Sequence, residues 1–308
     1  MRSGSLAIED GVGPEAEACQ EIESLAMPDG TWVISDGSSF WLQRPDFLGG
    51  SVFSRRLLQP GSASHTRQIL AGALTAGYRS GPRNATPSEP RVVSLPAYIH
   101  QLAGSYQTTH ATPETMRHVA GRLRAAGDAG MADYCLHVAD EEEGHDRLAL
   151  KDLEALGVRA ADFVRDVRPA NAMALVALFK GYAGGTAPVA VLGYAYVLER
   201  MALFQTRESI DAVEAILPPG TMATRCLRVH SAVGTDARHV VESIDVIAGL
   251  CEDDRMAIAG AVFETAACMA APTDYPGDTA FGALLSTYMN PYFPDERLNL
   301  AAPIPFEP

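Results

Sequence analysis

From position 95 to about 270, apolar residues return every three or four positions, with alanine, leucine and charged residues dominating the spaces between. That spacing places the apolar side chains on one face of an α-helix. It predicts helices over 95–109, 113–127, 131–156, 170–183, 187–216, 221–250 and 253–270, with a short one at 279–288. Gly157, the pair Gly184-Gly185 and the run Pro218-Pro219-Gly220 mark breaks between them. The first 90 residues are patterned differently. Two short apolar stretches, 31–35 and 39–42, flank Asp36-Gly37, a favoured tight turn, and predict a β-hairpin. A helix from about 64 to 78 follows. Positions 80–87 read as a linker and the proline-rich stretch 291–308 as an extended tail. The expected organisation is an N-terminal extension over 1–90, a helical domain over 91–290 and the tail.

Composition narrows the function classes. With 47% hydrophobic residues the 308-residue chain can bury a sizeable core. Its longest apolar run, 170–198, is broken by Lys180, Gly184-Gly185 and Pro188, so it reads as two buried helices and not as a membrane span. A net charge of −14 argues against nucleic-acid and anionic-membrane partners, both of which need a positive surface. Cys19, Cys135, Cys226, Cys251 and Cys268 are scattered and odd in number, as expected of reduced thiols in a cytoplasmic protein. The N-terminus turns acidic before any apolar stretch forms, unlike a signal peptide. Phosphate-cradling glycine loops, a GxSxG elbow and cysteine-rich zinc spacing are all missing from the sequence.

Two acidic-His pairs carry the chemistry: Glu142-Glu143-Gly144-His145 and Asp236-Ala237-Arg238-His239. On a helix, residues at i and i+3 share a face, so each pair can offer a metal one oxygen and one nitrogen. Facing helices of this kind, joined by a carboxylate from a third, hold paired iron or manganese ions in helical bundles. The competing reading is ordinary helix surface. Glu141 shares the side of His145 as Glu142 does, which leaves their roles open. Glu199 is the only charge on a face formed with Leu192, Ala195, Tyr196 and Leu203; it is either a metal ligand or half of a buried ion pair. Asp152 is either a solvated acid or a group that orients a ligand. His230 lies nine residues before His239, about 180° away on a regular helix. It reaches the same site only if the helix departs from α geometry, for which Gly234 offers a place. His110 stands at an expected helix junction.

The stretch Glu141-Glu142-Glu143-Gly144-His145, continuing through Asp152-Leu153 to Leu156-Gly157, resembles the haem-oxygenase-like diiron oxidases. So do the run from Leu192 to Glu199 and the later His230 with Asp236-x-x-His239. The resemblance covers roughly 95–270. It implies an all-α, haem-oxygenase-like seven-helix bundle that binds two Fe ions and uses O2 and an external reductant to oxidise a small molecule. The ligand roles it carries over fall on Glu142, His145, Glu199, His230, Asp236 and His239. Five residues separate His230 from Asp236 where the family has three. The family's early glutamate ligand has no counterpart; His110 stands at a suitable distance, with Glu114 as the fallback. The implied substrate is a small aliphatic amino acid or related carboxylic acid, undergoing desaturation, C–N cyclisation such as azetidine formation, or N-oxygenation in natural-product biosynthesis. Arg117, Lys180 and Arg228 are the candidates for holding its carboxylate. The alternatives are a fatty-acid decarboxylase of the same family, a hydrolytic zinc or manganese site, and a metal-free helical binding protein. A homodimer is compatible with all of them.

Overall fold

The computed structural model describes residues 22–44, 61–81, 94–231 and 236–291, with side chains in the last segment described from 238. The expected linker and tail, Cys19, and Gly234 lie almost wholly or wholly outside these ranges.

The hairpin forms where the sequence predicts it, as β2 (Trp32–Ser35) and β3 (Phe40–Gln43). Gly37 takes a positive φ of 85° in the connecting turn, and Asp36 Oδ1 accepts the Ser38 and Ser39 amides at 2.8 Å each. A strand not foreseen, β1 (Glu23–Ala26), completes an antiparallel sheet of order β1-β2-β3. Its sequence, ESLA, lacks β-branched residues, and its pairing with β2 supplies what local propensity does not. Helix α1 (Ala63–Ser80) starts at Ser62, whose hydroxyl accepts the His65 amide. It packs against the sheet on one side and α11 (Glu252–Met269) on the other. The extension therefore shares its apolar core with the bundle: Val33, Leu70 and Ala73 belong to the same buried cluster as Ile244, Ile258 and Val262.

The remainder is helical: α2 (Leu95–Ala125), α3 (Ala129–Glu141), α4 (Asp146–Ala155), α5 (Ala160–Asp166), α6 (Ala170–Gly184), α7 (Val191–Ala202), α8 (Arg207–Ile216), α9 (Arg225–Val229), α10 (Asp236–Ala248) and α12 (Asp278–Ser286). Four expectations change. The two helices predicted over 95–127 are one, because α2 runs through Pro113. The lost backbone bond there is offset by burial of Met116, Val119 and Ala120 beyond it. The single helices predicted over 131–156, 187–216 and 221–250 are each split. Gly144, the Thr206 cap that accepts the Ser209 amide, and the end of α9 at Val229 are the respective breaks. Helix α5 was not foreseen. Among the described residues, no helix is long and apolar enough to cross a membrane.

Two apolar clusters result. One joins the sheet and α1 to the second half of α2 and to α3, α6, α7, α10 and α11; the other joins the first half of α2 to α4, α5, α8, α9 and α12. Helix α2 threads both. Between them lies a cavity of about 180 Å³.

Candidate metal centre

Helix α3 ends at Glu141, and Gly144 adopts φ +83°. A right-handed helix cannot continue through that conformation, which glycine takes without a Cβ clash. Residues 142–145 form a turn, with the His145 amide donating to the Glu142 carbonyl at 3.2 Å. Glu142 and His145 thus meet across a turn and not along a helix face, and their side chains are linked, His145 Nδ1 to Glu142 Oε2, at 3.1 Å.

His230 arrives from the other side. Helix α9 is only five residues long, and His230 caps its end with φ −93° and ψ 69°. That break abolishes the half-turn mismatch with His239 expected for a continuous helix. The ring of His230 lies edge-on to that of His145, centroids 5.1 Å apart. Ligand atoms of Glu142, His145 and His230 all fall within 4.8 Å of one another. Burial opposes ionisation of Glu142, but the His145 hydrogen bond and the fields of His230, His145 and His239 outweigh it and hold the carboxyl below its ordinary range. An ionised carboxylate beside two imidazoles is the donor set of mononuclear non-haem iron sites, so these residues fit such a metal.

A second group adjoins the first. Helix α7 can lie close against α11 because Gly193 carries no side chain: a Cβ there would stand 2.4 Å from the Ile258 carbonyl oxygen. Six residues on, Glu199 Oε1 lies 3.9 Å from Nδ1 of the buried His239 on α10. The other ring nitrogen, Nε2, lies 3.5 Å from Glu141 Oε2. Glu141 in turn meets Arg238 at 2.9 Å and His137 at 3.4 Å. The ambiguity between the two glutamates resolves: Glu142 turns to His145 and Glu141 to His239. Asp236 opens α10, but its side chain lies outside the described residues.

Other sequence candidates fall elsewhere. His110 is exposed on α2, stacked on Tyr106 at 5.1 Å and 2.8 Å from Asp146; Glu114 is exposed. Because α2 is unbroken, its cavity face is set by helical period and comprises Tyr98, Gln101, Leu102, Ser105, Thr108, Thr109 and Thr112. His110 and Glu114 are off that face, so this helix brings no carboxylate or imidazole to the site. Arg117 is engaged at the surface by Asp140 and Glu143, at 3.2 and 2.9 Å. Arg228 pairs with Glu214 at 2.6 Å, and Lys180 is exposed. None of the three lines the cavity.

The cavity is walled by Leu102, Val138, Phe179, Leu198 and Leu227, with Glu142, Glu199 and His230 also on its lining. Sequence reasoning overlooked the hydroxyl stripe of α2, although Ser105, Thr108, Thr109 and Thr112 recur at helical spacing. Each threonine hydroxyl donates to a carbonyl about one turn back: Thr108 to Ser105 at 3.1 Å, Thr109 to Ser105 at 2.8 Å, and Thr112 to Thr108 at 3.0 Å. With their protons so committed, these hydroxyls are left as acceptors on residues that line the cavity.

No family model matches the chain, and no curated protein matches it. A crystal structure of a domain of unknown function with a heme oxygenase-like fold, from Shewanella denitrificans OS217, is similar over 73% of this chain and 89% of that one. The identity is 18% and the TM-score 0.47. A likeness at that level carries no weight for fold or activity.

Proposed function

We propose that this protein is an O2-dependent non-haem iron oxidase acting on a small aliphatic amino acid or related compound. The observation that carries the reading is the convergence of one ionised carboxylate and two imidazoles, Glu142, His145 and His230, two of which, Glu142 and His230, line a mainly apolar cavity. These three would hold one iron, and Glu199 and His239, with Asp236, the second; all six are ligands that the sequence resemblance implies. Iron so bound supplies O2 activation, with electrons from an external reductant. The chain's own contribution is to bind and orient the substrate and to limit water around it. Among the described lining residues there is no lysine or arginine, so a substrate carboxylate meets no protein cation there. The threonine oxygens of α2 suit a hydrogen-bond donor such as an amine, and Leu102, Phe179 and Leu198 suit an aliphatic body.

Anaerobic Fe(II) titration followed by optical spectroscopy on admitting O2 tests this reading. The expected result is two Fe(II) per wild-type chain with an O2-dependent spectral change. Glu142→Ala and His230→Ala should lose the iron held by the first group, and Glu199→Ala that of the second. Metal uptake without any reaction with O2 would favour a hydrolytic centre, and no uptake a metal-free binding protein. A screen of free amino acids and fatty acids with Fe(II), O2 and reductant, read by mass, then ranks substrates. Turnover of fatty acids alone would put fatty-acid decarboxylation ahead of amino-acid oxidation.

A further inference from the structure

Asp152 sits on α4 with no solvent exposure, yet it touches none of the candidate ligands. Its two oxygens reach the start of α9: Oδ2 accepts the Cys226 amide at 2.8 Å, and Oδ1 accepts from the Arg225 guanidinium at 3.0 Å. Helix α4 begins at Asp146, immediately after His145; α9 ends at Val229, immediately before His230. One buried carboxylate therefore ties together the two helices from which the two imidazoles project. Neighbouring contacts fix the same point. Tyr98 donates to the Ala223 carbonyl at 2.6 Å, and Thr224 donates to Glu214 at 2.7 Å.

We propose that Asp152 is a positioning residue for the candidate metal centre, setting the separation of His145 and His230 by clamping α9 to α4. The proposal rests on the metal-binding reading above. At about 1.5 Å per residue, a five-residue helix is a lever of about 7.5 Å, so a shift at Cys226 is transmitted to His230. Metal–ligand distances tolerate only about 0.2 Å, and groups that hold ligands in place weaken metal affinity about 10- to 100-fold when removed. Aspartate suits the task because it offers separate acceptors to a backbone amide and a guanidinium. Asparagine keeps one acceptor oxygen, and leucine keeps none.

Co(II) is the probe, because its visible spectrum reports ligand geometry without turnover. Wild type, Asp152→Asn and Asp152→Leu are titrated with Co(II), with helix content followed by circular dichroism. A control variant, Leu70→Ala, removes a fully buried side chain of α1 and destabilises the fold away from α4 and α9. The expected result is affinity lowered a few-fold in Asp152→Asn and tenfold or more in Asp152→Leu, with an altered visible spectrum in both. Leu70→Ala should keep wild-type affinity and spectrum despite a lower melting temperature. If Asp152→Leu does not fold, Asp152→Asn decides by the same two readouts. Aspartate variants that match wild type in affinity and spectrum overturn the positioning role, as does an equal loss in Leu70→Ala. A wild type that takes up no Co(II) overturns the metal reading itself, and this proposal with it.

Discussion

Two groups of buried charge among the described residues, one beneath the N-terminal sheet and one at the candidate metal centre, are built on opposite principles. At one, Arg255 of α11 reaches Glu23 of β1 through Nη2, at 3.0 and 2.9 Å from the two carboxylate oxygens, and Thr66 of α1 at 3.2 Å. The two charged side chains are 2% and 0% exposed. Among the described residues one cation meets one anion, and neither lines the cavity beside the candidate metal centre. At the other, Glu142 meets two imidazoles and no arginine or lysine, beside a second carboxylate, Glu199, on the wall of the same cavity. The first pairs a cation with an anion and holds the extension to the bundle. The second is rich in lone pairs, the donor set that the proposed metal site requires. Burial of charge is common to both; matched charge and missing access distinguish a structural pair from a ligand site.

The largest effect is expected at the structural pair. Arg255→Met leaves Glu23 buried without its cation and should cost about 3–5 kcal/mol, measured by urea unfolding, while iron bound per folded chain stays at the wild-type value. Loss of iron along with stability would erase the contrast between the two groups. A smaller effect is expected at the turn of the metal centre. Gly144→Ala forces a Cβ into the left-handed region and should cost about 1–2 kcal/mol, but here Fe(II) affinity should fall as well, because that turn sets Glu142 against His145. Unchanged affinity would show that the pair does not depend on the turn.

The smallest effect sharpens the comparison among imidazoles. His100 packs against Tyr275 and Phe281, with ring centroids 5.2 and 5.1 Å away. Burial lowers its pKa below the ordinary 6.5, with Asp274 opposing. Below pH 6.5 the unfolded chain takes up a proton that the native state resists. The stability contributed by neutral His100 is therefore complete above that pH and is lost as pH falls from 6.5 towards the lower native value. His100→Phe should flatten the melting temperature over that interval. An unaltered pH profile would show that this ring titrates normally.

Where an element depends on its own residues, the sequence was readable. The Asp36-Gly37 turn, the helix expected from about 64 to 78 and the periodic stretches of α6, α11 and α12 all form within a residue or two of expectation, because turn chemistry and apolar period are local. The candidate ligands were legible as residue types: Glu142, His145, His230, Glu199 and His239 do converge. Their geometry was not. Phase along a helix is knowable only while the helix continues, and the helices break at 142–145 and after Val229. Each break frees a side chain from the face that periodicity assigned to it. The opposite failure occurred in α2, where Pro113 did not break the helix, so the face that reaches the cavity carries threonines while His110 points to solvent.

The sequence by itself determined the all-α class, the N-terminal hairpin and a set of carboxylates and imidazoles of the donor types a metal site uses, since propensity, period and donor chemistry are properties of the residues. Only the tertiary structure decided which glutamate meets which histidine, that Asp152 reaches the α9 backbone and not a ligand, and that no arginine or lysine lines the described cavity. Those outcomes depend on how separate helices pack, and packing is set by contacts between residues far apart in the chain.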